Sequence, residues 1–331
     1  MNAPGVPSPF AAPLTALPPA SPLSFGQMLD RIFRLMRANL KPFIGIASLP
    51  AGTMLVLYAA MTAGMLLILQ PWRHPNPAIT LMPVLWFMAA FGVIFVLFIL
   101  IFAIYVPAAV YAALQADVGA KVAARLAYAK AWSRSGRYIW LMILFYVIVV
   151  GPVLVVAAAL AGGMVLTFAH GSHLGAGQLM MIPLMIVVYL AAMIYEVLMG
   201  LWLSLAWPAC IAEDLTAWAA IRRSFILTRG AKGRIFLLLL VIYAAVYAGM
   251  LLLELALGIA GSLVALAGIV LHLALNPWGF IGIGVAVICL LAAMFLMMVC
   301  CWSAFSTALV VVYRDQQRRM AATVPAPTLA G

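Results

Sequence analysis

The chain has 331 residues, of which 68% are hydrophobic and 8% charged, with a mean hydropathy of +1.21. Soluble domains carry about 25% charged residues, so this composition excludes a water-soluble globule and predicts an all-α polytopic membrane protein. The net charge of +11 comes from 18 basic and 7 acidic residues; the bases sit at the ends of apolar runs instead of on one recognition face, which points to an anionic lipid leaflet and away from nucleic acid.

Residues 1–24 contain seven prolines and no basic residue. They lack both the charged and the apolar parts of a secretory signal and read as a disordered, partly polyproline tail. Ser24 and Gln27 have the spacing of a capping box, so a helix is expected from Phe25. On its turns Arg31, Arg34, Arg37 and Lys41 share one side, while Phe25, Met28, Leu29, Ile32, Phe33 and Met36 cover the other. Such a helix lies in the membrane interface with its apolar side down and its bases toward lipid head groups.

Six apolar runs follow, at 43–69, 81–114, 138–168, 179–212, 234–272 and 278–313. Each exceeds the roughly 20 residues that cross about 30 Å of hydrocarbon. Pro107 and Pro208 are expected kink sites, Pro50, Pro152 and Pro183 also lie near run ends, and the fifth run has room for a break around 258–268. Seventeen of the 18 bases flank the same ends of these runs, and Arg73 alone falls on the other side. Lys and Arg near spans are retained in the cytoplasm, so both termini are expected there, in a bacterial inner membrane.

Aligning the aromatic in each surface segment places Phe33, Trp132 and Phe225 at intervals of 99 and 93 residues, with Arg31, Lys130 and Arg223 two residues before them. The repeat predicts six transmembrane helices as three hairpins, each preceded by a basic surface helix. They make one domain over 25–320, with repeats 25–115, 116–212 and 213–320 and a disordered tail at 321–331. Leu126, Ile226 and Leu227 blur the amphipathic pattern of the second and third surface segments, which are expected to be partly buried.

Three segments carry a family resemblance: LSFGQMLDRIFRLMRANLKPF at the start, LWLSLAWPACIAEDLTAWAAIRRSFILTRGAKGRIFLLLL in the centre and ALVVVYRDQQRR at the end. Together they resemble the membrane domain of bacterial glycerophosphoryl diester phosphodiesterase and related inner-membrane proteins. The most specific part runs from Trp207-Pro208 through Glu213-Asp214 and Arg222-Arg223-Ser224 to Thr228-Arg229-Gly230. The resemblance implies a multi-span inner-membrane protein; the soluble catalytic domain that some members carry has no counterpart in these residues. The last apolar run lacks the proline that the family pattern leads one to expect.

Catalysis needs convergent polar groups, and the sequence offers no metalloprotease, nucleophile-elbow or phosphate-loop motif. No catalytic residue, metal site or cofactor is therefore assigned. His74, His170, His173 and His272 all fall on the side opposite the basic clusters and read as interfacial histidines. Cys210, Cys289, Cys300 and Cys301 read as small packing residues. Glu196 and Glu254 stand near the centres of the fourth and fifth runs, where ionisable groups are costly and mark either polar glue or an ion site; Tyr189, Tyr195, Tyr243 and Tyr247 are their candidate hydrogen-bond donors. The lipid head-group candidates are Arg31, Arg34, Arg37, Lys41, Arg222, Arg223 and Arg229. The function these readings favour is a non-enzymatic inner-membrane protein with a structural or accessory role in envelope or lipid homeostasis. Its partners would be lipids, another membrane protein or a second copy of the chain. The alternative is a small-solute or ion transporter or channel using the two midplane glutamates.

Overall fold

The computed structural model describes residues 22–69, 77–169, 176–270 and 277–323, and every regular element among them is a helix. In chain order these are α1 (Phe25–Ala38), α2 (Leu40–Leu69), α3 (Pro77–Asp117), α4 (Ala124–Ser133), α5 (Ser135–Val149), α6 (Gly151–Ala169), α7 (Ala176–Leu203), α8 (Ala206–Ala212), α9 (Ala217–Thr228), α10 (Lys232–Val270) and α11 (Pro277–Thr323). The short helices α1, α4 and α9 each precede longer apolar ones. Among the described residues five helices are long and apolar enough to cross a membrane: Leu40–Leu57, Gly92–Asp117, Pro183–Ala212, Lys232–Leu253 and Leu291–Ala322. A sixth crossing results if the bent pair Ser135–Val149 and Gly151–Leu160 counts as one.

α1 starts where the capping box places it. The Ser24 backbone N–H donates to Gln27 Oε1 at 2.8 Å, and the Gln27 N–H donates to Ser24 Oγ at 3.3 Å. Its apolar side is divided: Met28 and Ile32 are buried in protein, while Phe33 is exposed.

The breaks follow proline chemistry. A proline inside a helix lacks the N–H for the carbonyl four residues earlier and its ring crowds that carbonyl. Pro152 disturbs the helix at Ile148, and the axis turns by 44° between α5 and α6. Pro208 acts on Ser204, and there α7 gives way to α8, with Ser204 Oγ donating back to the Leu201 carbonyl at 2.8 Å. Pro50 and Pro183 remain inside α2 and α7. The kink expected at Pro107 does not become a break, since α3 runs through it; one missing N–H is tolerated where every other backbone group is bonded within the helix. α10 also continues through 258–268, where an interruption was expected, and α11 is unbroken.

The chain gathers into two compact units, one made of Arg134–Phe236 with the residues from Val312 onward, the other of Leu23–Ser133 with Leu237–Val311. This division does not follow the sequence repeat, because α9 belongs to the first unit while most of α10 and α11 belongs to the second. In the second unit α2 packs along α3 and α4 closes on both. The contact face of α3 is built from Ala108, Ala109, Ala112, Ala113 and Ala116, all buried, small residues that let helix backbones approach closely. Trp302 of α11 meets the rings of Phe102 and Tyr105 of α3 at centroid distances of 5.0 and 5.7 Å. In the first unit α9 lies against α5, α7 and α8, burying Ala220, Ile221, Ser224, Leu227 and Thr228. Leu227 is therefore a core residue, whereas Leu126 and Ile226 are exposed.

Candidate functional site

Five of the seven acidic residues, Asp30, Asp117, Glu213, Asp214 and Asp315, are paired with arginine. In the second unit Arg31 of α1 contacts Asp117, the last residue of α3, through Nη2 at 2.7 Å and Nε at 2.8 Å. α3 ends there in a Schellman motif: the Gly119 N–H donates to the Ala116 carbonyl and the Ala120 N–H to Gln115, both at 3.0 Å, with Gly119 at φ +74°. Such a left-handed residue favours glycine. On α1 itself Arg34 pairs with Asp30 one turn earlier at 2.9 Å.

The first unit holds three linked clusters. Asp214, just past α8, accepts from Arg134 and from Arg137 Nη1, the latter at 2.5 Å. Its φ is +54°, and the Leu215 N–H closes the helix end on the Cys210 carbonyl at 3.2 Å. Asp214 thus fills a glycine-like position while its side chain holds the start of α5. Glu213 beside it accepts from Arg223 Nε at 2.9 and 3.1 Å, from the Tyr313 hydroxyl at 2.8 Å and from Gln317 Nε2 at 3.3 Å. Gln317 Nε2 also donates to the Tyr313 oxygen at 2.6 Å. Asp315, with only 1% of its side chain exposed, accepts from Arg319 Nε at 2.9 Å and lies 3.4 Å from Arg234 Nη1. These contacts tie the end of α11 to the α8–α9 turn and to the start of α10.

Asp117 ends α3, Asp214 stands just past α8 and Asp315 lies inside α11, and each meets arginine from another element: Arg31 of α1, Arg134 and Arg137 at the start of α5, and Arg234 of α10. Burial of a carboxylate among apolar residues is costly unless it is paired, and Asp117 and Asp315, with 0% and 1% of their side chains exposed, are both paired.

The head-group candidates divide accordingly. Arg31 and Arg223 turn inward to carboxylates. The aromatics two residues after them, Phe33 and Phe225, turn outward at 66% and 38% exposure, and Trp132 of α4 is 70% exposed. Residues two apart on a helix lie on opposite sides, which explains the inward base and outward ring. Arg34, Arg37, Lys41, Arg222 and Arg229 are exposed, and the Arg222 guanidinium sits 5.6 Å from the centroid of Trp218.

Glu196 is half-buried on α7, and the side chain of Glu254, on α10, lies outside the described residues. So do Arg73, His74, His170, His173 and His272. Tyr195, expected beside a glutamate, instead donates its hydroxyl to the Ile148 carbonyl at 2.6 Å. Tyr243 and Tyr247 stack on one another, 6.1 Å apart and nearly parallel. Among the described residues no group of three or more His, Cys, Asp or Glu side chains is placed to hold a metal. Sequence reading missed the roles of Asp117, Asp315, Tyr313 and Gln317; the available signal was an acidic residue just beyond an apolar run, Asp117 after 81–114 and Asp315 after 278–313. No family model, curated protein or solved structure matches the chain.

Proposed function

We propose that this chain is a six-span protein of a bacterial inner membrane, arranged as three hairpins with both termini in the cytoplasm. In this reading it is related to the membrane domain of glycerophosphoryl diester phosphodiesterase and has no catalytic activity of its own. It serves a structural or accessory role in envelope or lipid homeostasis, through contact with anionic lipid and with a membrane-protein partner or a second copy. The observation that supports this reading best is the distribution of charge. Five of the seven acidic residues are already paired with arginine, and exposed bases and aromatics remain on the short helices. An exposed apolar surface such as that of α7, where Leu184, Ile186, Val187, Leu190 and Ile194 are all uncovered, belongs in lipid.

Single cysteines at Asn76 and Gly175, in a chain whose four natural cysteines are replaced, test the arrangement. An impermeant thiol reagent applied to intact cells should label both, and shielding of both would overturn the hairpin order. Affinity purification followed by lipid and protein identification tests the accessory role, for which anionic phospholipid or a stoichiometric membrane protein is expected. Substrate turnover or ion flux by the purified chain in proteoliposomes would replace the accessory reading.

A further inference from the structure

We propose that the outward face of α9 is a binding surface for anionic phospholipid, with Arg222 and Arg229 as the phosphate-contacting groups and Trp218, Phe225 and Ile226 as the apolar anchors. This rests on the membrane reading above and adds to it a specific face, a specific set of side chains and a lipid class.

The helix has two sides. Its inner side, with Ala220, Ile221, Ser224, Leu227 and Thr228, is buried, and Ser224 Oγ donates to the Trp202 carbonyl at 2.6 Å, fixing the rotation of α9 on α7. That rotation sends Trp218, Arg222, Phe225, Ile226 and Arg229 outward, at offsets of 4, 7, 8 and 11 residues, which form a single stripe on a 3.6-residue helix. The stripe combines bulky apolar groups with two cations and contains no carboxylate. Arg223, between them in sequence, is on the inner side with Glu213 and is not part of it.

Position decides the occupant. α9 has 12 residues, about 18 Å of helix at 1.5 Å per residue, too short to cross a bilayer. It is tethered at both ends to spanning candidates, Pro183–Ala212 before it and Lys232–Leu253 after it. A short helix held between two span ends lies at the level of the lipid head groups. There, rings and an aliphatic side chain enter the acyl boundary while the guanidinium groups meet phosphate. Arg222 is already held near the Trp218 ring at 5.6 Å, which limits its conformations and keeps it beside the anchor. α4 also exposes a base beside apolar groups on one side, Arg125 with Leu126 and Trp132, although not at the positions that match Arg222 and Arg229.

The test uses the full chain, reconstituted with spin-labelled phosphatidylglycerol or phosphatidylcholine, and reads the relative association of each lipid with the protein boundary. The parent should prefer phosphatidylglycerol. Arg222→Gln and Arg229→Gln should each lower that preference about five-fold at the site, the equivalent of about 1 kcal/mol per base near an anionic surface. Lys121→Gln, an exposed base outside the stripe, should leave it unchanged. Trp218→Ala should weaken the preference and Trp218→Phe should restore part of it. An equal loss with Lys121→Gln, or no loss with either arginine variant, would overturn the site while leaving the membrane reading intact; a parent chain that retains no boundary lipid would overturn the membrane reading itself. If the arginine variants do not fold, brominated lipids in the parent chain decide. Fluorescence lost on Trp218→Phe substitution should be quenched more strongly by brominated phosphatidylglycerol than by brominated phosphatidylcholine, and equal quenching would overturn the proposal.

Discussion

Tyr195 and Pro152 act on the same carbonyl. The proline removes the N–H that would bond to the Ile148 oxygen, and the Tyr195 hydroxyl of α7 supplies a donor at 2.6 Å. Tyr128 does the same at Pro50 of α2, donating at 2.5 Å to the Ile46 carbonyl that this proline leaves open. Tyr195→Phe should therefore cost about 1–2 kcal/mol, the range of a hydrogen bond between membrane helices. In a chain already carrying Pro152→Ala, whose own backbone N–H can take the Ile148 carbonyl, the same change should cost less. Unfolding in mixed micelles measures both, and equal costs with and without Pro152 would show that the tyrosine acts elsewhere.

The fold class was legible because hydrocarbon thickness and the requirement for internal hydrogen bonding leave a long apolar run few choices. The start at Ser24 was legible because its cap is local. Pro208 signalled a break, but Pro107 looked equally disruptive and breaks nothing, because the outcome depends on the packing around the helix. The alignment of Phe33, Trp132 and Phe225 falls on three short helices, and all three rings are exposed. It did not show that Arg31 and Arg223 point inward, since their partners Asp117 and Glu213 are 86 and 10 residues away. Tyr195 was placed near Glu196 by sequence proximity, yet neighbours on a helix point in different directions, and its partner lies 47 residues earlier.

Asp214 combines a left-handed backbone with a charge that two arginines need. Asp214→Gly relieves the backbone and loses the pairing; Asp214→Ala loses the pairing and keeps the strain, which costs roughly 1 kcal/mol for a residue with a Cβ. Alanine should therefore be the more destabilising change by about 1 kcal/mol, with asparagine, which tolerates this conformation, between glycine and alanine or better than both. Thermal unfolding of the three purified variants gives the order. Alanine equal to glycine would mean that the φ of +54° carries no cost.

Asp315 and its arginines should respond unequally to substitution. The carboxylate is buried, but a quarter of the Arg234 side chain and more than a third of Arg319 reach the surface. Asp315→Asn leaves cations that water can reach and should cost about 1–2 kcal/mol. Replacing both Arg234 and Arg319 by Gln strands a buried carboxylate and should cost about 3–5 kcal/mol. The comparison needs only chemical unfolding at neutral pH, and a larger loss for Asp315→Asn would reverse the assignment of which partner is the buried one.

Tyr128 gives a pH-dependent version of the proline cap. Burial pushes its phenol above the ordinary tyrosine value near 10. Below that value the phenol is protonated in both folded and unfolded chains, so its bond to Ile46 contributes fully and independently of pH. As pH rises above about 10 the unfolded phenol ionises first while the folded one keeps its proton. Stability then falls, by up to about 1.4 kcal/mol per pH unit, until the folded phenol ionises as well. Tyr128→Phe has no proton to lose. The parent should thus exceed this variant by a constant margin of about 1–2 kcal/mol from pH 7 to 9, and the margin should shrink between pH 10 and 11. Denaturant unfolding of both proteins at pH 8 and pH 11 makes the measurement, and a margin that stays the same would mean that the Tyr128 hydroxyl titrates alike in the folded and unfolded chain.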